Sequence, residues 1–166
     1  MSLLLAAIGA TVTALVEATL GQFLTVGDAT PHPLLVGGVI WTIAAGIDRG
    51  ITWAFVGGLV LDSLLVRPLG TTPVALLLAV GGATLINQPF PRLRVVVPIV
   101  AVPILSFAYS MLILAIESAM HPGVHVTDAS RLFVPGALYD AVLAMLIGPL
   151  AITLHDRRMP AERMDW

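Results

Sequence analysis

Trp53-Ala54-Phe55-Val56-Gly57-Gly58-Leu59-Val60-Leu61-Asp62, closed by Arg67-Pro68-Leu69-Gly70, is the stretch that decides the fold. A carboxylate ends an apolar run, and a glycine pair stands one helical turn before it. An ionised Asp facing hydrocarbon is costly, so Asp62 should turn towards other protein. Gly57 and Gly58 would let a neighbouring helix approach closely beside it. The run therefore reads as one member of a helical bundle in a membrane, with Asp62 marking the interior.

Composition agrees. The 166 residues are 58% hydrophobic and 11% charged, whereas soluble domains carry about 25% charged residues. Too few polar groups remain to coat a water-facing surface, which leaves an integral membrane protein. The length suits a single polytopic membrane domain over residues 1–166, with no linker or repeat. Without cysteine there is no disulfide and no thiol chemistry. A nucleic-acid binder would need a basic patch, and the formal net charge is −2.

Breaks at Gly, Pro and charge divide the chain into six apolar stretches: 2–26, 33–47, 51–66, 72–87, 95–118 and 132–155. The first has no basic residue before it and carries Glu17, so it reads as a retained helix and not as a leader. The second to fourth fall short of the roughly 20 residues of a perpendicular span. With the N-terminus in the cytoplasm, Arg49, Arg92, Arg94, Arg157, Arg158 and Arg163 lie inside and only Arg67 and Arg131 outside. That bias has the sign of the positive-inside rule, and a five-span arrangement would spoil it. The expectation is an all-α six-helix bundle with both termini cytoplasmic.

Small residues mark its packing faces. Ala6, Ala10, Ala14 and Ala18 recur every fourth residue, with Glu17 on the adjoining row. Pro98 and Pro103 should bend the fifth helix. Trp41, Trp53 and Trp166 read as interfacial anchors, and Gly46 to Gly50, spanning Asp48-Arg49, as a turn.

Four acids fall in one leaflet. Asp62 and Glu117 lie near the outer ends of the third and fifth helices; Glu17 and Asp140 sit about 12–14 Å below the outer ends of the first and sixth. They could line a polar pocket that binds a ligand or relays protons. Alternatively they are protonated or Arg-paired, and serve as interhelical hydrogen-bonding groups. The second reading is preferred, since nothing in the sequence fixes a ligand; Glu117 also fits the membrane interface. His121 and His125 have helical metal-ligand spacing, but Pro122-Gly123 between them and the want of a third ligand argue against a site. Tyr139-Asp140 lacks the Gly-x-Gly-Asp partner of an intramembrane aspartyl protease. No nucleophile elbow or zincin motif occurs. No catalytic residue, cofactor or metal is expected.

The stretch from Pro33 to Asn87 resembles the MreD family of the bacterial rod-shape system. The matching features are Pro33 opening an apolar run through Trp41, a turn with Arg49-Gly50, the run Phe55 to Asp62, and Pro68-Leu69-Gly70 leading into another helix. The resemblance implies a non-enzymatic scaffold of the plasma (inner) membrane. It would bind MreC, and link MreB filaments to RodA and its partner transpeptidase in peptidoglycan synthesis. It also implies similarity in fold to the substrate-binding subunits of energy-coupling-factor transporters. That supplies the alternative, a small-molecule-binding membrane subunit. Asp62, Gly57, Gly58, Gly70, Glu17, Asp140, Glu117, Ala10 and Ala14 are the structural or interaction candidates.

Overall fold

The computed structural model describes residues 3–23, 30–65, 68–89, 93–120 and 129–158. Among these residues six α-helices follow one another: α1 (Leu3–Leu20), α2 (Pro33–Ala45), α3 (Ile47–Leu64), α4 (Thr71–Asn87), α5 (Val97–Met120) and α6 (Ala129–Arg158). A 3-10 turn, Gly21–Phe23, prolongs α1, and there is no strand among the described residues. Each helix lies within an expected apolar stretch or overruns it by no more than four residues. Three are long and apolar enough to cross a membrane: α1, α5 and the Phe133–Leu154 part of α6.

The shortness of α2 has a packing cause. Its 13 residues span only about 20 Å at 1.5 Å each, against a hydrocarbon core of about 30 Å. It is packed against α1, α3, α4, α5 and α6 alike. Leu34, Leu35, Val36, Val39, Ile40 and Ile43 are almost wholly enclosed. A helix apolar on every side is a core helix, and α2 is the axis around which the other five stand.

Close approach comes from small residues. Ala6, Ala10 and Ala14 are fully buried, and α1 packs on α3. A Cβ built on Gly57 would stand 3.2 Å from the Ala10 Cβ and 2.6 Å from a Leu34 methyl. One on Gly58 would stand 2.6 Å from the backbone nitrogen of Pro73 on α4. The small faces of α1 and α3 are thus taken up by contacts inside the chain.

Three local expectations are corrected. The α2–α3 turn is the single residue Gly46, at φ 96° and ψ 165°, a region open essentially to glycine alone. Asp48, Arg49 and Gly50 already belong to the first turn of α3, where an acid suits the positive end of the helix dipole. Pro98 is the second residue of α5, a first-turn position that needs no helical N–H, so only Pro103 interrupts the helix interior. Trp53 is a core residue, 6% exposed, and no interfacial anchor. Its indole fills a slot against Gly9, Gly37 and Gly38, where added Cβ atoms would meet the ring at 2.8, 2.6 and 3.1 Å. It stacks on Trp41 at 5.8 Å between ring centroids, and its Nε1 donates to the Leu34 carbonyl at 3.0 Å. Trp166 lies outside the described residues.

Candidate functional site: carboxylates at buried helix ends

Apolar surroundings supply no partners for the first amides and last carbonyls of a helix, and each left unsatisfied in a bilayer costs several kcal/mol. Neither α2 nor α4 solves this with its own N-cap side chain. The N-cap of α2 is His32, whose side chain makes no capping bond, and that of α4 is Gly70. Carboxylates from other helices do the work.

At the start of α2, Pro33 at the first position has no N–H to satisfy. The Leu34 amide donates to Glu17 Oε2 of α1 at 2.7 Å. The His32 amide donates to Asp140 Oδ1 of α6 at 2.7 Å, and His32 Nδ1 lies 3.1 Å from Asp140 Oδ2. Ser106 Oγ of α5 donates to the same Oδ2 at 2.6 Å. The His32 ring meets Tyr109 of α5 edge-on, centroids 5.4 Å apart. Asp140 is wholly buried, and the His32 amide, the His32 imidazole and the Ser106 hydroxyl converge on its two oxygens.

At the start of α4, Asp62 of α3 plays the same part. Its Oδ2 accepts the Gly70 amide at 2.8 Å, and the Thr72 amide is shared between Oδ1 and Oδ2 at 3.2 and 3.3 Å. Gly70 holds φ 105° in the left-handed region, which turns its N–H back towards α3. Asp62 and Thr72 are fully buried. The run from Asp62 to Gly70 is therefore one device: a helix end, a turn, and the cap of the next helix.

Cations complete the pattern at the far end of α2. Arg94 donates through Nε to the Ile43 carbonyl at 3.1 Å and through a terminal nitrogen to the carbonyls of Ile43 and Ala44, the latter at 2.9 Å. Arg49 reaches the Ala45 carbonyl at 3.1 Å. Acids at the amino end and guanidiniums at the carboxyl end both complement the helix dipole. Each such contact contributes about 0.3–1 kcal/mol when exposed, and up to ~2 kcal/mol in partly buried geometry.

All four acids lie towards the same end of the bundle, as the sequence indicates, but they do not form one cluster. Glu17 and Asp140 meet at α2, Asp62 serves α4 separately, and Glu117 is half-buried three residues from the end of α5. Tyr109 and Ser110 are buried on α5. His121 and His125 lie outside the described residues, as does Arg67; the Arg131 side chain is also undescribed. Sequence reasoning missed His32 and Ser106. Ser106 shares a helical face with Tyr109 and Ser110, three and four residues on, and that spacing was a usable signal. His32 was legible only as a poor N-cap before a proline, which asks for a cap from elsewhere.

Ser106, Asp140 and His32 do not make a catalytic triad. In a triad the imidazole stands between hydroxyl and carboxylate and takes the hydroxyl proton. Here the carboxylate stands between the other two, and the hydroxyl proton is committed to it.

A lateral groove of about 460 Å³ opens between α1 and α6 over the face of α2. Its walls are mainly apolar and include Gly37, Trp41, Leu143, Ile147 and Ala151.

A bundle with an apolar exterior, whose buried charges hold short helices in register, is a polytopic membrane protein with an architectural polar core. The chain belongs to the MreD family: the family model described as rod shape-determining protein MreD matches residues 2–157. The match reaches far beyond the Pro33–Asn87 stretch that carries the resemblance in sequence. Its family is a shape-determining structural component and not a known enzyme family. No curated protein and no solved structure matches the chain.

Proposed function

We propose that this protein is a non-enzymatic scaffold of the cell-elongation machinery in the bacterial plasma membrane, binding MreC. Through MreC it would join RodA and its partner transpeptidase, with MreB engaged indirectly from the cytoplasm. The family match carries this reading. In the proposed topology all six helices cross or insert, the short α2 and α4 enclosed by their neighbours, with both termini cytoplasmic. The six-to-two arginine bias supports that orientation. Asp62, Glu17 and Asp140 act structurally, and Gly57, Gly58, Gly70, Ala10 and Ala14 supply the close packing that keeps the scaffold rigid. Glu117 remains an interaction candidate near the outer surface.

The alternative, a vitamin-binding subunit resembling those of energy-coupling-factor transporters, requires an enclosed cavity with convergent polar groups. The carboxylates best placed to line one already accept backbone amides, which favours the scaffold.

Purification of the tagged protein from its native membrane tests the choice. Recovery of MreC as the main companion supports the scaffold. A bound small molecule together with an ATPase pair, and no MreC, overturns it.

A further inference from the structure

The groove over α2 is bounded by two helices that scarcely touch each other, since α1 rests on α2 and α3 while α6 rests on α2 and α5. Along α6 it runs from Tyr139 to Ala151, about 18 Å at 1.5 Å per residue. That is close to the depth of one leaflet, about 15 Å, and well short of a whole hydrocarbon core. Thr13 of α1 and Leu143, Ile147 and Ala151 of α6 face each other across it, and Ile147 is exposed.

Size decides between occupants. A partner helix about 10 Å across would sweep about 1,400 Å³ over 18 Å, so the 460 Å³ present would seat only the side chains of one face and not the helix itself. One hydrocarbon chain, about 5 Å across from carbon contact distances near 4 Å, sweeps about 350 Å³ over the same length. The groove therefore fits a single extended chain.

Charge says which end carries a headgroup. The Trp41–Ala151 end of the groove lies towards the end of the bundle that holds Arg49 and Arg94, and α6 continues from Ala151 to Arg157 and Arg158. Among the described side chains, Asp48 is the acid at that end. The carbonyls that Arg49 and Arg94 hold are uncharged, and neither arginine is ion-paired among the described side chains. The opposite end, with Glu17 and Asp140, is acidic.

We propose that the α1–α6 groove is a lipid site: it holds one acyl chain of an anionic glycerophospholipid whose headgroup lies at the arginine end. The site goes beyond the scaffold reading and does not depend on MreC.

The test is native mass spectrometry of the full chain released from nanodiscs of phosphatidylglycerol mixed equally with phosphatidylcholine. The expected result is one retained phosphatidylglycerol per chain. Ala151→Trp, which fills the groove, should reduce retention about tenfold. Leu138→Trp, of equal bulk on the outward face of α6, should leave it unchanged. Arg157→Gln with Arg158→Gln should reduce the preference for the anionic lipid at least about fivefold. Should Ala151→Trp fail to fold by circular dichroism, a photo-crosslinker at Leu143 replaces it, and a lipid-mass adduct in the nanodisc is the expected product. Undiminished retention in folded Ala151→Trp, indifference to headgroup charge, or a crosslink to polypeptide instead of lipid would each overturn the site.

Discussion

Replacing Asp62 asks whether the carboxylate holds the α3–α4 corner as an acceptor of backbone amides. Asp62→Ala leaves the Gly70 and Thr72 amides without their acceptor, and Thr72 is fully buried. An orphaned buried donor costs about 1–3 kcal/mol; with Thr72 fully buried and Gly70 partly so, the two together should cost about 2–4 kcal/mol. Asp62→Asn keeps one oxygen, enough for one of the two donors, but turns an NH2 group towards the other. Its cost should be roughly half, about 1–2 kcal/mol. A protonated Asp serving as a neutral partner would make Asn nearly silent. A buried ion pair would instead make Asn about as damaging as Ala, since both strip the charge from a buried cation. The graded order of wild type, Asn and Ala therefore identifies the amide-capping role. Unfolding in mixed detergent micelles, followed by circular dichroism, gives the stability differences. Hydrogen exchange then locates them: protection should fall first at the amides of Gly70 to Val74, the opening turn of α4. Ala stability within about 0.5 kcal/mol of wild type, or loss of protection centred elsewhere, would refute the reasoning.

The neighbouring glycines should rank by what surrounds them. Gly58→Ala presses on the Pro73 backbone and should cost about 1–3 kcal/mol; Gly57→Ala meets chiefly the flexible tip of Leu34 and should cost less, both read in the same unfolding assay. Gly46→Ala forces a side chain into φ 96° and should cost about 1–3 kcal/mol. Trp53→Phe keeps the aromatic packing but loses the bond to the Leu34 carbonyl, so about 1 kcal/mol of stability should go, whereas an interfacial anchor would move little. Arg94→Gln uncovers the carboxyl end of α2 and should lower membrane abundance on immunoblots, with loss of exchange protection starting at Ile43 to Ala45.

Much of the fold was legible because hydropathy is a local property. Thr72–Asn87 and Val95–Ser118 differ from the observed helices by no more than two residues at either end. That the acids lie towards one end of the bundle was also legible, since it follows from the alternating direction of successive helices. Their partners were not. Asp140 caps a residue 108 positions away, and the group it accepts is a main-chain amide, which no side-chain pattern announces. The expectation of protonated or arginine-paired acids considered only side chains, and so overlooked the commonest donor in any protein. Trp53 misled for a related reason. Tryptophan favours membrane interfaces on average, but Gly9, Gly37 and Gly38 on two other helices together make a slot for its ring. That coincidence exists only after folding.

The capping scheme also explains how an apolar chain can afford a helix as short as α2 at its centre. A helix of about 20 Å is shorter than a hydrocarbon core of about 30 Å, so in a bilayer at least one of its ends lies in a medium without water. Lengthening it would satisfy the ends at the surface but would remove the carboxylate and guanidinium contacts that fix its depth. Instead Glu17, Asp140, Arg94 and Arg49 each bind one end from a different neighbouring segment, so α2 cannot slide along its axis without breaking bonds to α1, α3 and α6 at once. Apolar packing alone tolerates such sliding, because lipid tails and leucines are equally apolar. The buried charges therefore specify register where hydrophobicity cannot, and register keeps the outer faces of the bundle in a fixed arrangement. A scaffold of the kind proposed above requires that constancy of surface. On this argument, reversing the order of charges, with Glu17→Arg and Arg94→Glu together, should not rescue either single change: both ends of α2 would then face the wrong sign of the dipole. Rescue of membrane abundance by the double exchange would show that net charge balance, and not the orientation of α2, is what these residues maintain.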